Sequence, residues 1–160
     1  MSRILILAAI AVGTAWFYEY ALVLAFAHLP IYVLPPGFLR AAEGVGGHRL
    51  LRATILGLDV LITVAVSIPF AILISALYSH RWLLVAAIVA LWATLPGIAG
   101  APTVWRALPN HAGYVTDLAL ASIRLLLVLP LLTFYFRSAA SNTRRNARAA
   151  SSIPGVGEGR

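Results

Sequence analysis

Residues 114–150 of this 160-residue chain read YVTDLALASIRLLLVLPLLTFYFRSAASNTRRNARAA, and this stretch decides the fold. A long apolar run ends in the aromatic residues Phe134, Tyr135 and Phe136, and an arginine-rich segment follows them. Apolar runs of about 18 residues or more are typical of transmembrane helices, and aromatic residues collect where such helices leave the bilayer. The stretch therefore predicts a transmembrane helix over residues 114–136 with a basic tail behind it.

The composition of the whole chain indicates a membrane protein. Hydrophobic residues make up 61% of the chain and charged residues 11%, whereas a soluble domain has about 45–50% and about 25% of these classes. With a mean hydropathy of +0.92, too few polar side chains remain to cover a surface that faces water. The absence of cysteine excludes disulfides, iron–sulfur clusters and thiol catalysis.

Three further apolar segments precede residue 114, and proline, glycine and charged residues separate them. We predict an all-α fold: a polytopic integral membrane protein whose four transmembrane helices form one bundle over residues 1–137. The helices are expected at residues 4–29, 53–78, 82–101 and 114–136. The turn at residues 79–81 is so short that the second and third helices should lie antiparallel beside each other. Residues 138–160 lack the apolar content to fold and are expected to form a disordered, arginine-rich cytoplasmic tail.

The first apolar segment also has some features of a signal peptide. Arg3 precedes a short apolar run, and residues 13–15, GTA, would suit a cleavage site. Apolar sequence continues well beyond this point, which favours a retained first helix. The aromatic cluster WFYEY at residues 16–20 is expected at a membrane interface, with Glu19 in the leaflet opposite Arg3. Residues 9–13, AIAVG, contain a small-xxx-small pair that suits close contact between helices.

The arginines set the expected orientation. With four helices both termini lie on one side, and a cytoplasmic tail then leaves seven arginines inside and four outside. Because cytoplasmic loops are enriched in basic residues, we expect a multi-pass protein of a bacterial inner (plasma) membrane with both termini in the cytoplasm. A three-helix arrangement, with the first helix removed or peripheral, would also keep the tail inside.

Nucleic acid is not an expected partner, since the basic run has no interleaved aromatic residues. Anionic lipid headgroups are the expected partners of the tail arginines Arg137, Arg144, Arg145 and Arg148.

Four charged residues fall within the predicted helices, namely Glu19, Asp59, Asp117 and Arg124. Under this topology all four lie in the outer half of the bilayer. Asp117 and Arg124 also share one helical face, because they are seven residues apart. A charge at the bilayer centre costs about 2.5–3.5 kcal/mol on insertion scales. We therefore predict that the four residues share a polar layer near the outer face.

Three hypotheses account for this layer. In the first, the acids lie at the interface in contact with water and have no role. In the second, Arg124 is an assembly device that pairs with an acid on another membrane subunit. In the third, the four residues line a proton or cation pathway, a ligand pocket or an acid–base centre.

No motif in the chain supports catalysis or a cofactor. A GxSxG sequence is absent, the glycine cluster at residues 44–47 matches no dinucleotide or phosphate-binding pattern, and no HxxxH or HExxH spacing occurs. His28 and His111 are weak candidates for a metal site and are more readily explained as interfacial or loop residues. We expect a non-enzymatic inner-membrane protein, a small subunit or assembly factor of a larger complex with other membrane subunits as partners. The alternative is a small transporter or a proton- or cation-coupled protein.

Overall fold

The computed structural model describes residues 2–33, 37, 47–107 and 111–151, and these residues are helical except for a short turn at residues 78–81. Four helices make up the described chain: α1 (Ser2–Val33), α2 (Gly47–Leu77), α3 (Trp82–Ala107) and α4 (His111–Ser151). The predicted all-α fold is confirmed.

The protein is membrane-embedded, as the sequence predicts. Three of the described helices are long and apolar enough to cross a membrane, through the segments Leu5–Leu29, Ala53–Leu77 and Leu118–Ala147. The apolar segment of α3, Trp82–Leu95, is shorter. At about 1.5 Å per residue it measures about 21 Å, against a hydrocarbon core of about 30 Å. Large apolar side chains point outward from the bundle, among them Leu5 at 69% exposure, and a lipid surround makes such exposure favourable.

The first three helices are longer than predicted. α1 continues to Val33 and α3 to Ala107, although proline residues were expected to end the first helix near residue 29 and to loosen the third. α2 begins at Gly47, inside the predicted connection. Membrane helices tolerate proline because neighbouring groups satisfy the freed carbonyls, so proline is a weaker boundary signal here than in a soluble protein.

α4 shows the largest difference from the sequence prediction. It continues to Ser151, so residues 138–151 are helical where disorder was expected; residues 152–160 lie outside the described part. Alanine and arginine are common in this segment, and both are good helix formers. The hydroxyls of Ser141 and Thr143 donate to main-chain carbonyls of the same helix, at 2.8 and 3.0 Å, so these polar side chains are satisfied within it.

The helices pack as a bundle in which α1 and α4 lie on opposite sides. Each of these two helices contacts both α2 and α3, whereas the main chains of α1 and α4 do not approach each other closely among the described residues. α2 and α3 are in contact, but each packs more extensively against α1 and α4. The short turn therefore places α2 and α3 side by side, but most of the packing of each helix is against α1 and α4.

Small side chains allow the helices to approach closely at the centre. Ala15, Ala71, Ala86 and Ala90 are fully buried in the main hydrophobic cluster, together with larger residues such as Leu129. Close packing of small residues drives association of membrane helices, since lipid is as apolar as the core.

α1 belongs to this core through one face. Ala11, Ala15, Tyr18 and Leu22 are buried against the other helices, so the arrangement with a peripheral first helix is wrong. The small-xxx-small pair of residues 9–13 does not form the contact: Ala9 is exposed, and a side chain added at Gly13 would meet no atom within 4 Å. Ala11 and Ala15, which share the same four-residue spacing, face the neighbours instead.

Candidate functional site

Two of the four charged residues predicted within the helices form an ion pair between α2 and α4. Nη1 of Arg124 lies 3.6 Å from Oδ2 of Asp59, and the two side chains are only 16% and 28% exposed. Each charge lowers the cost of placing the other inside the membrane. Arg124 therefore has a partner within its own chain.

The predicted neighbour of Arg124 on the same helix was Asp117. The side chain of Asp117 lies outside the described residues, so its share in this pair stays a prediction. The Nε of Arg124 is buried and has no hydrogen-bond partner within the described part of the chain.

A row of hydroxyl groups leads away from Asp59 along the buried face of α2. Thr63 Oγ1 donates to the Asp59 carbonyl at 2.6 Å, and Ser67 Oγ donates to the Thr63 carbonyl at 2.6 Å. The Tyr18 hydroxyl of α1 lies 2.7 Å from Ser67 Oγ. Because a serine hydroxyl has one proton and Ser67 uses it toward Thr63, Tyr18 is the donor in its bond with Ser67. Tyr18, Thr63 and Ser67 are all buried.

Both α2 hydroxyls of this row donate to main-chain carbonyls of their own helix. A proton relay needs each group to accept one proton and pass on another, and the row leads instead into main-chain carbonyls, which only accept. The positive charge of an arginine, here Arg124 beside Asp59, opposes binding of a cation there. The arrangement is suited to holding α1 on α2 and to satisfying buried hydroxyls.

Glu19 lies near the middle of its apolar segment, whereas Asp59 lies near the start of its own. Tyr18, the neighbour of Glu19, bonds to Ser67, which is two residues from the middle of the apolar segment Ala53–Leu77. Asp59 is eight residues from Ser67, or about 12 Å along the helix axis. The half-buried side chain of Glu19 lies two residues from the middle of the apolar segment Leu5–Leu29, and its place in the predicted polar layer stays a prediction.

The aromatic cluster around Glu19 is also at mid-span, and most of it faces away from the bundle. Trp16, Phe17 and Tyr20 are 58%, 61% and 56% exposed. The rings of Trp16 and Tyr20 stack with centroids 6.2 Å apart and an interplanar angle of 10°. Residues 16–20 lie near the middle of the apolar segment Leu5–Leu29, and the interface position expected for them stays a prediction.

One side of α1, termed the α1 outer face, is formed by Ala9, Gly13, Trp16 and Tyr20. These residues recur at intervals of four, three and four, which places them on one side of a helix. Ala9, Trp16 and Tyr20 are exposed, and Gly13 has open space beside it. They lie opposite the buried residues Ala11, Ala15 and Tyr18 on the same helix.

The histidines do not assemble a metal centre in the described part of the chain. No group of three or more His, Cys, Asp or Glu side chains that could hold a metal ion occurs there. His28 is exposed, and its Nδ1 lies 3.0 Å from the Leu24 carbonyl of its own helix. The side chain of His111 lies outside the described residues.

At the far end of α2, arginines of α4 line a groove. Nη1 of Arg137 donates to the Tyr78 carbonyl at 3.2 Å, beyond the last helical residue of α2. A cavity of about 600 Å³ opens beside it, and Arg144 and Arg145 lie on its wall. The side chain of Arg148, the fourth predicted lipid-binding arginine, lies outside the described residues.

Comparison of this chain with protein-family models, curated proteins and solved structures finds no match. Function has to be inferred from the chain's own residues. The sequence analysis did not predict the hydrogen bond between Tyr18 and Ser67. The four-residue spacing of Asp59, Thr63 and Ser67 is the signal that could have indicated a polar face on α2.

Proposed function

We propose that this protein is a non-enzymatic subunit or assembly factor of a larger membrane complex, and that the α1 outer face contacts a partner helix. The supporting observation is the exposed stack of Trp16 and Tyr20 near the middle of the apolar segment Leu5–Leu29. The indole N–H and the phenol O–H both need hydrogen-bond partners, and lipid tails offer none. A partner helix would cover both rings and supply such groups.

The small residues on the same face suit this contact. Gly13 offers open space where a partner backbone can approach, and Ala9 lies one turn away. Contact residues that alternate at four-residue and three-residue intervals are typical of two helices that pack at a shallow crossing angle. The partner surface is therefore proposed to be a transmembrane helix with small residues toward one end and hydrogen-bonding side chains near its middle.

Glu19 strengthens the case for a partner. A carboxyl group near the bilayer centre is costly unless it is paired or protonated, and Glu19 lies beside the α1 outer face on the same helix. Arg124, the residue first considered as the assembly device, already pairs with Asp59. We therefore assign the intermolecular polar contact to Glu19, with a basic or hydroxyl side chain of the partner.

The transport alternative has less support. The hydroxyl row on α2 leads into main-chain carbonyls, and the one charge pair in the described helices combines an acid with a permanent cation. Neither arrangement favours movement of protons or cations. The proposal also places the protein in a bacterial inner membrane with both termini in the cytoplasm, which is supported by the arginine-rich extension of α4.

The experiment is quantitative mass spectrometry of proteins that co-purify with the full chain in a mild detergent. The test variant is Trp16→Leu/Tyr20→Leu, and the matched control is Trp92→Leu/Tyr135→Leu, which removes the same residue types from outward positions on α3 and α4. Buried Trp and Tyr anchors are worth about 2 kcal/mol or more each, so the loss of each ring should weaken partner binding about 30-fold, and the test variant should recover far less of the partner. The control should recover the partner as the natural protein does.

Equal recovery from both variants, at equal membrane insertion, would contradict the proposal. Co-purification of a tagged copy with an untagged copy identifies the case in which the partner is a second copy of this chain. Loss of this self-association in the test variant alone would then assign the α1 outer face to a homo-oligomer and not to a partner of different sequence.

A further inference from the structure

We infer that the groove between the end of α2 and the arginine-rich extension of α4 binds the phosphate group of an anionic phospholipid. The groove has a volume of about 600 Å³. Its polar wall is formed by Ser75, Ser79, Arg137, Ser141, Arg144 and Arg145. This site is separate from the α1 outer face, so its test is independent of the proposed function.

The charge of the groove selects an anion. Arg137, Arg144 and Arg145 all line it, and no acidic residue is among the described residues of its wall. Arginine side chains match the oxygens of a phosphate through paired N–H donors. Three such side chains around one cavity leave an unneutralised positive charge that an anionic group would balance.

Arg137 is held in place by the protein. It is half-buried, and one of its N–H groups donates to the Tyr78 carbonyl at 3.2 Å. An arginine has five N–H donors, so this contact positions the guanidinium group and leaves donors for a ligand. Arg144 and Arg145 follow on the same side of α4 after seven and eight residues, about two helical turns.

One serine of the groove is suited to assist the arginines. Ser75 and Ser141 donate their hydroxyl protons to main-chain carbonyls at 2.8 Å. Ser79 is exposed in the turn after α2 and makes no such bond within the described chain. Its hydroxyl is therefore the serine donor that a phosphate oxygen can use.

The position of the groove favours a lipid over a free phosphate ion. Its apolar wall includes Ile72 and Ala76, which lie in the last turns of the membrane segment Ala53–Leu77. The arginines follow beyond that end. A phospholipid has this same sequence of parts, with an acyl chain in the apolar region and a phosphate at the boundary.

The experiment measures which lipids the purified full chain retains from detergent micelles that contain equal amounts of phosphatidylglycerol and phosphatidylcholine. Retained lipid is counted by native mass spectrometry. Arg144→Gln and Arg145→Gln, each made singly, are compared with Arg81→Gln, a control with the same charge change in the exposed turn at the same end of α2. One basic residue near a lipid surface contributes about 1 kcal/mol, so each test variant should retain about fivefold less phosphatidylglycerol.

Three results would overturn the inference. The first is equal retention of the two lipids by the natural protein. The second is an equal loss in Arg81→Gln, which would indicate a general surface charge effect and not a site. The third is displacement of phosphatidylglycerol by millimolar inorganic phosphate, which would assign the groove to a free phosphate. Retention that survives inorganic phosphate and depends on Arg144 and Arg145 supports the inference.

Discussion

The hydroxyl of Tyr18 donates a hydrogen bond to Oγ of Ser67 over 2.7 Å, and this bond joins α1 to α2 at the middle of the membrane segment. Together with the packing of Ala11, Ala15 and Leu22, it fixes the position of α1 along its neighbours. Glu19 and the stacked rings of Trp16 and Tyr20 flank it, near the middle of the apolar segment Leu5–Leu29. The proposed partner surface on α1 depends on this one register.

Tyr18→Phe should destabilise the bundle by removing this bond. Hydrogen bonds between membrane helices are worth about 0.6 kcal/mol on average and at most about 1.7 kcal/mol, so a loss in this range is expected. The measurement is the free energy of unfolding of the purified protein in mixed detergent micelles. Tyr20→Phe is the matched control, because the Tyr20 ring faces outward; equal losses in the two variants would show that the bond does not stabilise the fold.

Tyr78→Phe should behave in the opposite way. The Tyr78 hydroxyl is buried and has no hydrogen-bond partner within the described chain, and leaving such a group buried costs about 1–3 kcal/mol. We therefore expect the variant to be as stable as the natural protein or more stable. A loss as large as that of Tyr18→Phe would indicate that Tyr78 has a partner.

The same variant should also alter the response to alkaline pH. Burial raises the pKa of Tyr78 above its ordinary value of 10.0. The folded state favours the neutral phenol over the phenolate. Ionisation of Tyr78 therefore leaves the free energy of unfolding unchanged below pH 10.0 and lowers it as the pH rises through the raised pKa. Unfolding curves between pH 8 and pH 11, roughly the range on either side of an ordinary tyrosine pKa, should fall less steeply in Tyr78→Phe.

Asp59 and Arg124 should show energetic coupling. In a double-mutant cycle with Asp59→Asn and Arg124→Gln, we expect a coupling energy of about 1–3 kcal/mol, because the two groups are in contact and largely buried. Free energies of unfolding of the two single variants and the double variant give this value. Additive losses would show that the contact of 3.6 Å has no energetic role.

Arg124→Leu separates stability from partner binding. It should lower the amount of folded protein, because Asp59 is left without its counter-charge in the membrane. The partner recovered per folded molecule should not change, since the proposed contact surface is on α1. Complete loss of the partner at normal folded yield would return the assembly role to Arg124.

Asp59→Asn also tests transport. A pH gradient across vesicles that contain the purified protein should dissipate no faster than across empty vesicles. Vesicles with Asp59→Asn should show the same rate. A proton or cation flux that Asp59→Asn stops would contradict the proposed function and favour the transport alternative.

The sequence alone determined that this is an all-α membrane protein, and the described residues form four helices as expected. The length and apolarity of a segment are local properties, and the bilayer converts them directly into transmembrane helices. The helix ends were less predictable. Proline does not stop a helix inside a membrane as it does in water, and residues 138–151 combine a polar composition with good helix formers.

Only the tertiary structure decided which side of each helix is buried. In a soluble protein the polar face marks the outside, but here the lipid-facing side and the core are equally apolar, so α1 has no such signal. Ala11 and Ala15 face the bundle, and Ala9 and Gly13 face away, although both pairs have the same spacing. The pairing of Arg124 with Asp59 and the depth of Tyr18 likewise depend on contacts between residues far apart in the chain. Such contacts follow from helix packing, which the local pattern of residues does not encode.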